Sequence, residues 1–185
     1  DPKKGMDVIT YTGNGGTQNI GGALFEPGLV WIKNRSSDRN HYLYDRIRGA
    51  GTDGDLAPNT TDAENSLNTG TYGYLSGFNP DGFTVVNGSN STGNFNSSSQ
   101  NYVAWMWRAG GPAVSNTDGT IDSQVSVNTN YGFSIVTYSG TGTQATVGHG
   151  LTNQTPKFII VKRRDSTGRW AVYFDGMSTG DYIYL

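Results

Sequence analysis

Short apolar runs between polar turns make up most of this chain. Continuous apolar runs of strand length lie at residues 29–33 and 157–162, and they predict central strands buried on both faces, with Trp31 in the core. Residues 102–108 carry Tyr, Val, Ala, Trp, Met and Trp in turn and predict a late core strand. Further short strands are predicted beside polar loops, at residues 8–11, 41–44, 83–86 and 169–174.

Composition favours strands over helices. Charged residues make up 15% of the chain, below the roughly 25% of an average globular protein, and Gly is abundant with 27 residues. Glu occurs only at Glu26 and Glu64, and residues 61–64 fit a capping box for a short helix at most. We therefore predict an all-β fold, an antiparallel two-sheet sandwich of jelly-roll or lectin-like type.

An internal repeat is the strongest feature of the sequence. Residues 7–15 read Asp-Val-Ile-Thr-Tyr-Thr-Gly-Asn-Gly and residues 134–142 read Ser-Ile-Val-Thr-Tyr-Ser-Gly-Thr-Gly, which aligns Tyr11 with Tyr138. The offset there is 138 − 11 = 127 residues, and it becomes 162 − 33 = 129 where Lys33 aligns with Lys162. Matched positions in one order with small loop insertions are typical of a duplicated domain, and chance agreement of Gly and Thr residues is the alternative.

The repeat divides the chain into three parts. Residues 1–110 form the first copy, residues 111–130 form a junction rich in turn formers, and residues 131–185 match only the N-terminal half of a copy. Because the second copy lacks counterparts of two predicted strands, we expect an open sheet edge there, completed by further chain or by a neighbouring subunit. Uncovered apolar surface is expected at Phe158, Ile160, Val172 and Tyr173.

Several short motifs relate the chain to a known kind of domain. They include Gly-His-Gly-Leu at 148–151, Trp-x-Val-Tyr at 170–173, Asp-Gly-Phe-Thr at 81–84 and Tyr-Val-Ala-Trp at 102–105. Together they resemble a repeated domain of unknown function in large structural proteins of marine bacteriophages, including those of cyanobacteria and of abundant ocean bacteria. The resemblance implies a β-sandwich in a tail fibre, appendage or other extracellular assembly, and it implies no catalytic residues.

The chemistry of individual residues also argues against an enzyme. The sequence has no Gly-x-Ser-x-Gly nucleophile elbow, and His41 aligns with Trp170 of the second copy. A carboxylate pair built on Glu26 or Glu64 has no acidic match where the copies can be compared. We expect no enzymatic activity and no catalytic residue.

Three groups of side chains are candidates for contacts. Ligand binding is expected of Tyr42 and Trp170, which lie beside polar loops and are expected to be exposed, and of His41. Subunit contact, with a salt bridge or an edge-protecting charge as the alternative, is expected of Lys33, Arg35, Lys162 and Arg164. Calcium, with Asx turns as the alternative explanation, is a candidate cofactor at Asp53, Asp55, Asn116, Asp118 and Asp122.

The net charge and the hydropathy of the chain argue against a nucleic-acid partner and against membrane insertion. The net charge is −2 and the basic residues form no stripe, so we expect no nucleic-acid partner. No apolar run approaches the roughly 20 residues that span a membrane, so we expect no membrane insertion. We predict a non-enzymatic structural subunit of an extracellular or virion fibre that forms homo-oligomers or polymers. A carbohydrate-binding adhesin or receptor-binding tail-fibre module, with cell-surface glycans as partners, is the alternative.

Overall fold

The structure of the protein, a computed structural model, describes residues 1–178 and 180–185. It consists almost entirely of strands and turns, so the predicted all-β fold is confirmed. A short helix, α1, spans Thr69–Tyr72, and none of the helices in the described residues could span a membrane. The strands are β1 Met6–Thr12, β2 Thr17–Ile20, β3 Leu29–Asn34, β4 His41–Asp45, β5 Tyr74–Asn79, β6 Gly82–Val86, β7 Asn101–Trp107, β8 Val114–Asn116, β9 Ser123–Asn128, β10 Phe133–Tyr138, β11 Phe158–Lys162, β12 Trp170–Phe174 and β13 Ile183–Tyr184.

Residues 6–107 form a sandwich of two antiparallel sheets. One sheet has four strands in the order β1-β7-β3-β4, and the other has three in the order β2-β6-β5. Side chains from both sheets meet in one hydrophobic core. Its fully buried members include Val30, Ile32, Tyr44, Leu75, Phe83, Phe95, Tyr102 and Met106.

Alternation along β3 sends neighbouring side chains to opposite faces of the sheet. Val30 and Ile32 are 0% and 1% exposed, whereas Trp31 is half-buried on the outer face. There its ring packs edge-on against Trp105 of β7, with ring centroids 6.0 Å apart. The prediction of a strand buried on both faces with Trp31 in the core is therefore wrong, because only the inner face packs against the other sheet.

Residues beyond 110 form two further antiparallel sheets, with the orders β10-β9-β8 and β11-β12-β13. The β3–β4 hairpin pairs Leu29 with Asp45, and the β11–β12 hairpin pairs Phe158 with Phe174. Adding 129 to the first pair of numbers gives the second (29 + 129 = 158, 45 + 129 = 174), so the two hairpins share one register. The division into two copies stays a prediction, and this shared register agrees with it.

Two segments differ from their predicted structure. The predicted junction, residues 111–130, contains β8 and β9, which pair with each other and with β10, and Val125 of β9 is 1% exposed. Residues 61–64 form no helix. The backbone N–H of Glu64 instead donates to the carbonyl of Arg164 at 2.9 Å, which places this loop against the β11–β12 hairpin.

Candidate functional site

One edge of β11 has no neighbouring strand within residues 1–178 and 180–185. The carbonyl of Lys157 accepts a hydrogen bond from the N–H of Asp175 at 2.8 Å, so the odd-numbered residues of β11 face β12. Because backbone groups alternate sides along a strand, the N–H and C=O groups of Phe158, Ile160 and Lys162 point to the open side. An edge of this kind is a template for pairing with another strand.

Apolar side chains of β11 are exposed on both faces of the strand, so the prediction that residues 157–162 form a central strand buried on both faces is wrong. Phe158 is 60% exposed, and Ile159, Ile160 and Val161 are 39%, 37% and 40% exposed. Val30, at the position of Ile159 in the first hairpin, is 0% exposed. The prediction of uncovered apolar surface is therefore confirmed at Phe158 and Ile160.

Unlike β11, the strand β12 has a covered apolar face, because its Trp170 packs onto the first sandwich. This ring is 5% exposed and packs with Leu43 and Leu56. Its indole N–H donates to the carbonyls of Ala57 at 3.2 Å and Thr60 at 3.1 Å. We call residues 57–64 the clasp loop, because this loop holds the β11–β12 hairpin.

The contact between β12 and the first sandwich also corrects one prediction about exposed apolar surface. Val172 lies two residues after Trp170 and so shares its face of β12. It is 3% exposed, and the prediction that it lies uncovered is wrong. Tyr173, on the opposite face, is half-buried.

Charged groups extend the contact at the clasp loop. Glu64 Oε2 lies 2.7 Å from Arg164 Nη2, and Glu64 Oε1 lies 3.0 Å from Arg48 Nη1. Arg48 also pairs with Asp45, and the side chains of both residues are buried. Hydrogen bonds between charged groups are stronger than those between neutral groups. The pair with Arg48 therefore fixes Glu64 of the clasp loop to the first sandwich, and the pair with Arg164 links the clasp loop to the β11–β12 hairpin.

The four basic candidates for subunit contacts fall into two pairs. Lys162 and Arg164 both contact the clasp loop of their own chain. Lys33 Nζ donates to the carbonyl of Asn34 at 2.6 Å, and Arg35 is exposed. A role for any of the four between subunits stays a prediction.

The aromatic candidates for ligand binding are buried. Tyr42 and Trp170 are 6% and 5% exposed, so the expectation of exposed rings is wrong. Tyr42 points into the sandwich core, where burial raises the pKa of its hydroxyl to about 12. His41 is half-buried, and its Nδ1 accepts a hydrogen bond from Trp31 Nε1 at 3.0 Å. Burial, with a smaller effect of Lys33, lowers the pKa of His41.

The calcium candidates do not share one site. Asp55 is 1% exposed, and its Oδ2 accepts the N–H of Leu67 at 3.0 Å. Burial raises the pKa of Asp55. Asn116 and Asp118 bond to each other in an Asx turn. The remaining candidates, Asp53 and Asp122, are exposed. The described residues contain no group of three or more His, Asp or Glu side chains that could hold a metal ion, and calcium binding stays a prediction.

Comparison with known proteins relates the chain to one family. The model of a family described as domain of unknown function DUF7483 matches residues 1–185. The chain belongs to this family. Neither a curated protein nor a solved structure matches it. The DUF7483 match spans both hairpins and the clasp loop between them, so the open edge of β11 lies within the family domain.

Proposed function

We propose that this DUF7483 chain is a non-enzymatic structural subunit of an extracellular or virion fibre whose units join through the open edge of β11. The observation that carries the proposal is the unpaired strand whose residues 158–161 are all at least 37% exposed. A neighbouring strand satisfies the free backbone groups of such an edge and covers its apolar side chains, so pairing is favoured in water.

The placement of the open edge supports a linear assembly. The corresponding edge of β3 is already covered by β7, so the two hairpins of one chain present different surfaces. A contact between unlike surfaces of two subunits is heterologous, and it propagates into a filament unless the rotation closes a ring. The sequence resemblance to structural proteins of marine bacteriophages supports the same proposal.

Buried charges also support a structural role. The most buried ion pairs of the first sandwich join Arg48 to Asp45 and to Glu64. The pair with Glu64 holds the clasp loop in place. Removing one member of such a group leaves the other charges buried without a partner, which lowers the stability of the fold. These residues therefore have a structural use that requires no substrate.

Assembly can be tested with a charge placed on the edge. We expect the wild-type chain to form concentration-dependent species in sedimentation velocity and ordered filaments in negative stain. Ile160→Lys puts a charge on the open edge and should keep the chain monomeric, because edge lysines prevent pairing. Val114→Lys, at a 60% exposed position on the edge strand β8, is the matched control and should assemble like the wild type. A wild-type chain that stays monomeric at all concentrations, or Ile160→Lys that assembles normally, would contradict the proposal.

A further inference from the structure

A buried carboxyl group lies just before the clasp loop and has no cation of its own. Asp55 is 1% exposed, and its Oδ2 accepts the N–H of Leu67 at 3.0 Å. Within residues 1–178 and 180–185, its Oδ1 has no hydrogen-bond partner and its side chain forms no ion pair. Because an unpaired charge is costly in a protein interior, such a group favours its neutral, protonated form.

The cation that acts on Asp55 is already shared by two other carboxylates. Arg48 Nε pairs with Asp45, and Arg48 Nη1 lies 3.0 Å from Glu64 Oε1. The other hydrogen bonds of this guanidinium group go to two backbone carbonyls. Glu64 also pairs with Arg164. Three carboxyl groups thus face two guanidinium groups, and a proton on Asp55 makes this cluster neutral.

Two tyrosines of β4 lie near Asp55 and contribute no positive charge. Tyr44 is 0% exposed, and its ring packs on Gly54, where an added Cβ would lie 3.3 Å from Tyr44 Cδ1. Burial raises the pKa of Tyr42 and of Tyr44, and the charge of Asp55 raises both further. The exposed Asp62 acts on Tyr42 in the same direction. Both hydroxyls therefore stay neutral and leave the charge of an ionised Asp55 uncompensated.

The balance of these effects favours a proton on Asp55 in the folded chain. Burial is the largest cause that raises the pKa of Asp55, and the negative charge of Glu64 adds to it. The hydrogen bond from Leu67 and the charge of Arg48 act in the opposite direction without cancelling the effect of burial. Folding and protonation of Asp55 therefore favour each other.

Asp55 is also joined to both ends of the clasp loop. Its carbonyl accepts the N–H of Asn65 at 3.2 Å and its Oδ2 accepts that of Leu67, so Asp55 anchors the residues that follow the loop. On the other side, the next residue, Leu56, packs with Trp170 of β12. A change at Asp55 therefore acts on the loop and on the ring that the loop holds.

We propose that Asp55 is a proton-binding site that controls how firmly the clasp loop holds the β11–β12 hairpin. With a proton on Asp55, the charged cluster is neutral and the loop is closed. Loss of the proton leaves an unpaired charge in the core, which favours opening of residues 56–67 so that the carboxylate reaches water. This device operates within one chain and is independent of assembly through the edge of β11.

The direction of the pH effect is set by the raised pKa of Asp55. The stability that the protonated group contributes is fully present below 3.8, the ordinary value, and is lost as the pH rises through the folded pKa. Between those two values, the opening constant of the clasp loop should rise by up to about tenfold per pH unit, and it should level off at higher pH.

Hydrogen exchange at two amides reports on this contact in the full chain. The N–H of Glu64 donates to the carbonyl of Arg164 at 2.9 Å, and the N–H of Gly168 donates to the carbonyl of Thr61 at 2.8 Å. After correction for the intrinsic pH dependence of exchange, we expect the protection of both amides to fall as Asp55 ionises. An NMR titration of the Asp55 carboxyl carbon gives the folded pKa in the same samples.

Two variants isolate the carboxyl group of Asp55. Asp55→Asn keeps an acceptor for the N–H of Leu67 but cannot ionise, so the protection of Glu64 and Gly168 should stay constant from pH 3.8 upward. Asp53→Asn removes an exposed carboxylate two residues away and is the matched control. It should follow the wild-type profile.

Three results would overturn the inference. The first is a folded pKa of Asp55 at or below 3.8. The second is the same pH dependence of protection in Asp55→Asn as in the wild type. The third is a raised pKa of Asp55 without loss of protection at Glu64 and Gly168, since Asp55 would then titrate without opening the clasp loop. The first and third need only the wild-type chain, so they decide the matter even where Asp55→Asn fails to fold.

Discussion

Trp170 offers the sharpest test of how the second hairpin is held. Its ring is 5% exposed against Leu43 and Leu56, so Trp170→Ala should cost about 3–5 kcal/mol, as large aromatic truncations in cores do. Trp170→Phe keeps most apolar contacts and removes the N–H shared by two carbonyls, which should cost about 1–2 kcal/mol. The difference between the variants separates packing from hydrogen bonding.

Urea denaturation gives the free energies, and hydrogen exchange shows where stability is lost. We expect Trp170→Ala to increase exchange both in residues 158–174 and in the clasp loop, because each holds the other. Trp105→Phe, a half-buried ring on the outer face of β7, is the control and should change stability by less than about 1 kcal/mol. A Trp170→Ala cost below about 1 kcal/mol, with unchanged exchange in the clasp loop, would refute the docking mode.

Further expectations follow from burial. Phe83→Ala should cost about 3–5 kcal/mol because Phe83 is 0% exposed, while Phe158→Ala, at 60% exposure, should change monomer stability by less than about 0.5 kcal/mol; equal losses in urea denaturation would contradict this. The pKa of His41 in an NMR titration should lie below its ordinary value of 6.5, and a higher value would contradict the burial and the Trp31 bond. Since unfolding then takes up a proton, stability should fall as the pH drops from about 6.5 through the folded pKa. Asp55→Asn should raise stability at pH 7 because it removes a buried charge, and a loss in thermal melts would count against this.

The sequence pattern predicted the fold class and most strands, because strand signals are local. The runs at 83–86 and 102–108 correspond to β6 and β7 within one residue at each end. The face of the sheet to which each side chain points was harder to predict. Trp31 and Tyr42 are both aromatic residues in apolar strands, yet Trp31 faces outward and Tyr42 faces the core. Which face of a sheet is covered depends on its partner sheet, which the local pattern does not encode.

The clasp loop could not be predicted from the sequence. Its contacts join residues about a hundred positions apart, as in the bond from Trp170 to Thr60, and no periodicity signals such a pair. One feature of the sequence pointed to this loop, because its Glu64 is one of only two glutamates in the chain. The open edge of β11 agrees with the predicted repeat, in which residues 131–185 match only the N-terminal half of the first copy.

Residue-resolved hydrogen exchange along β11 tests the central claim most directly. In the monomer, the amides of Ile159 and Val161 should be protected by β12, while those of Phe158, Ile160 and Lys162 should exchange rapidly. In the assembled fibre, the second set should become protected as strongly as the first. Protection of Phe158 and Ile160 in the dilute monomer, or their continued rapid exchange in the fibre, would contradict assembly through this edge.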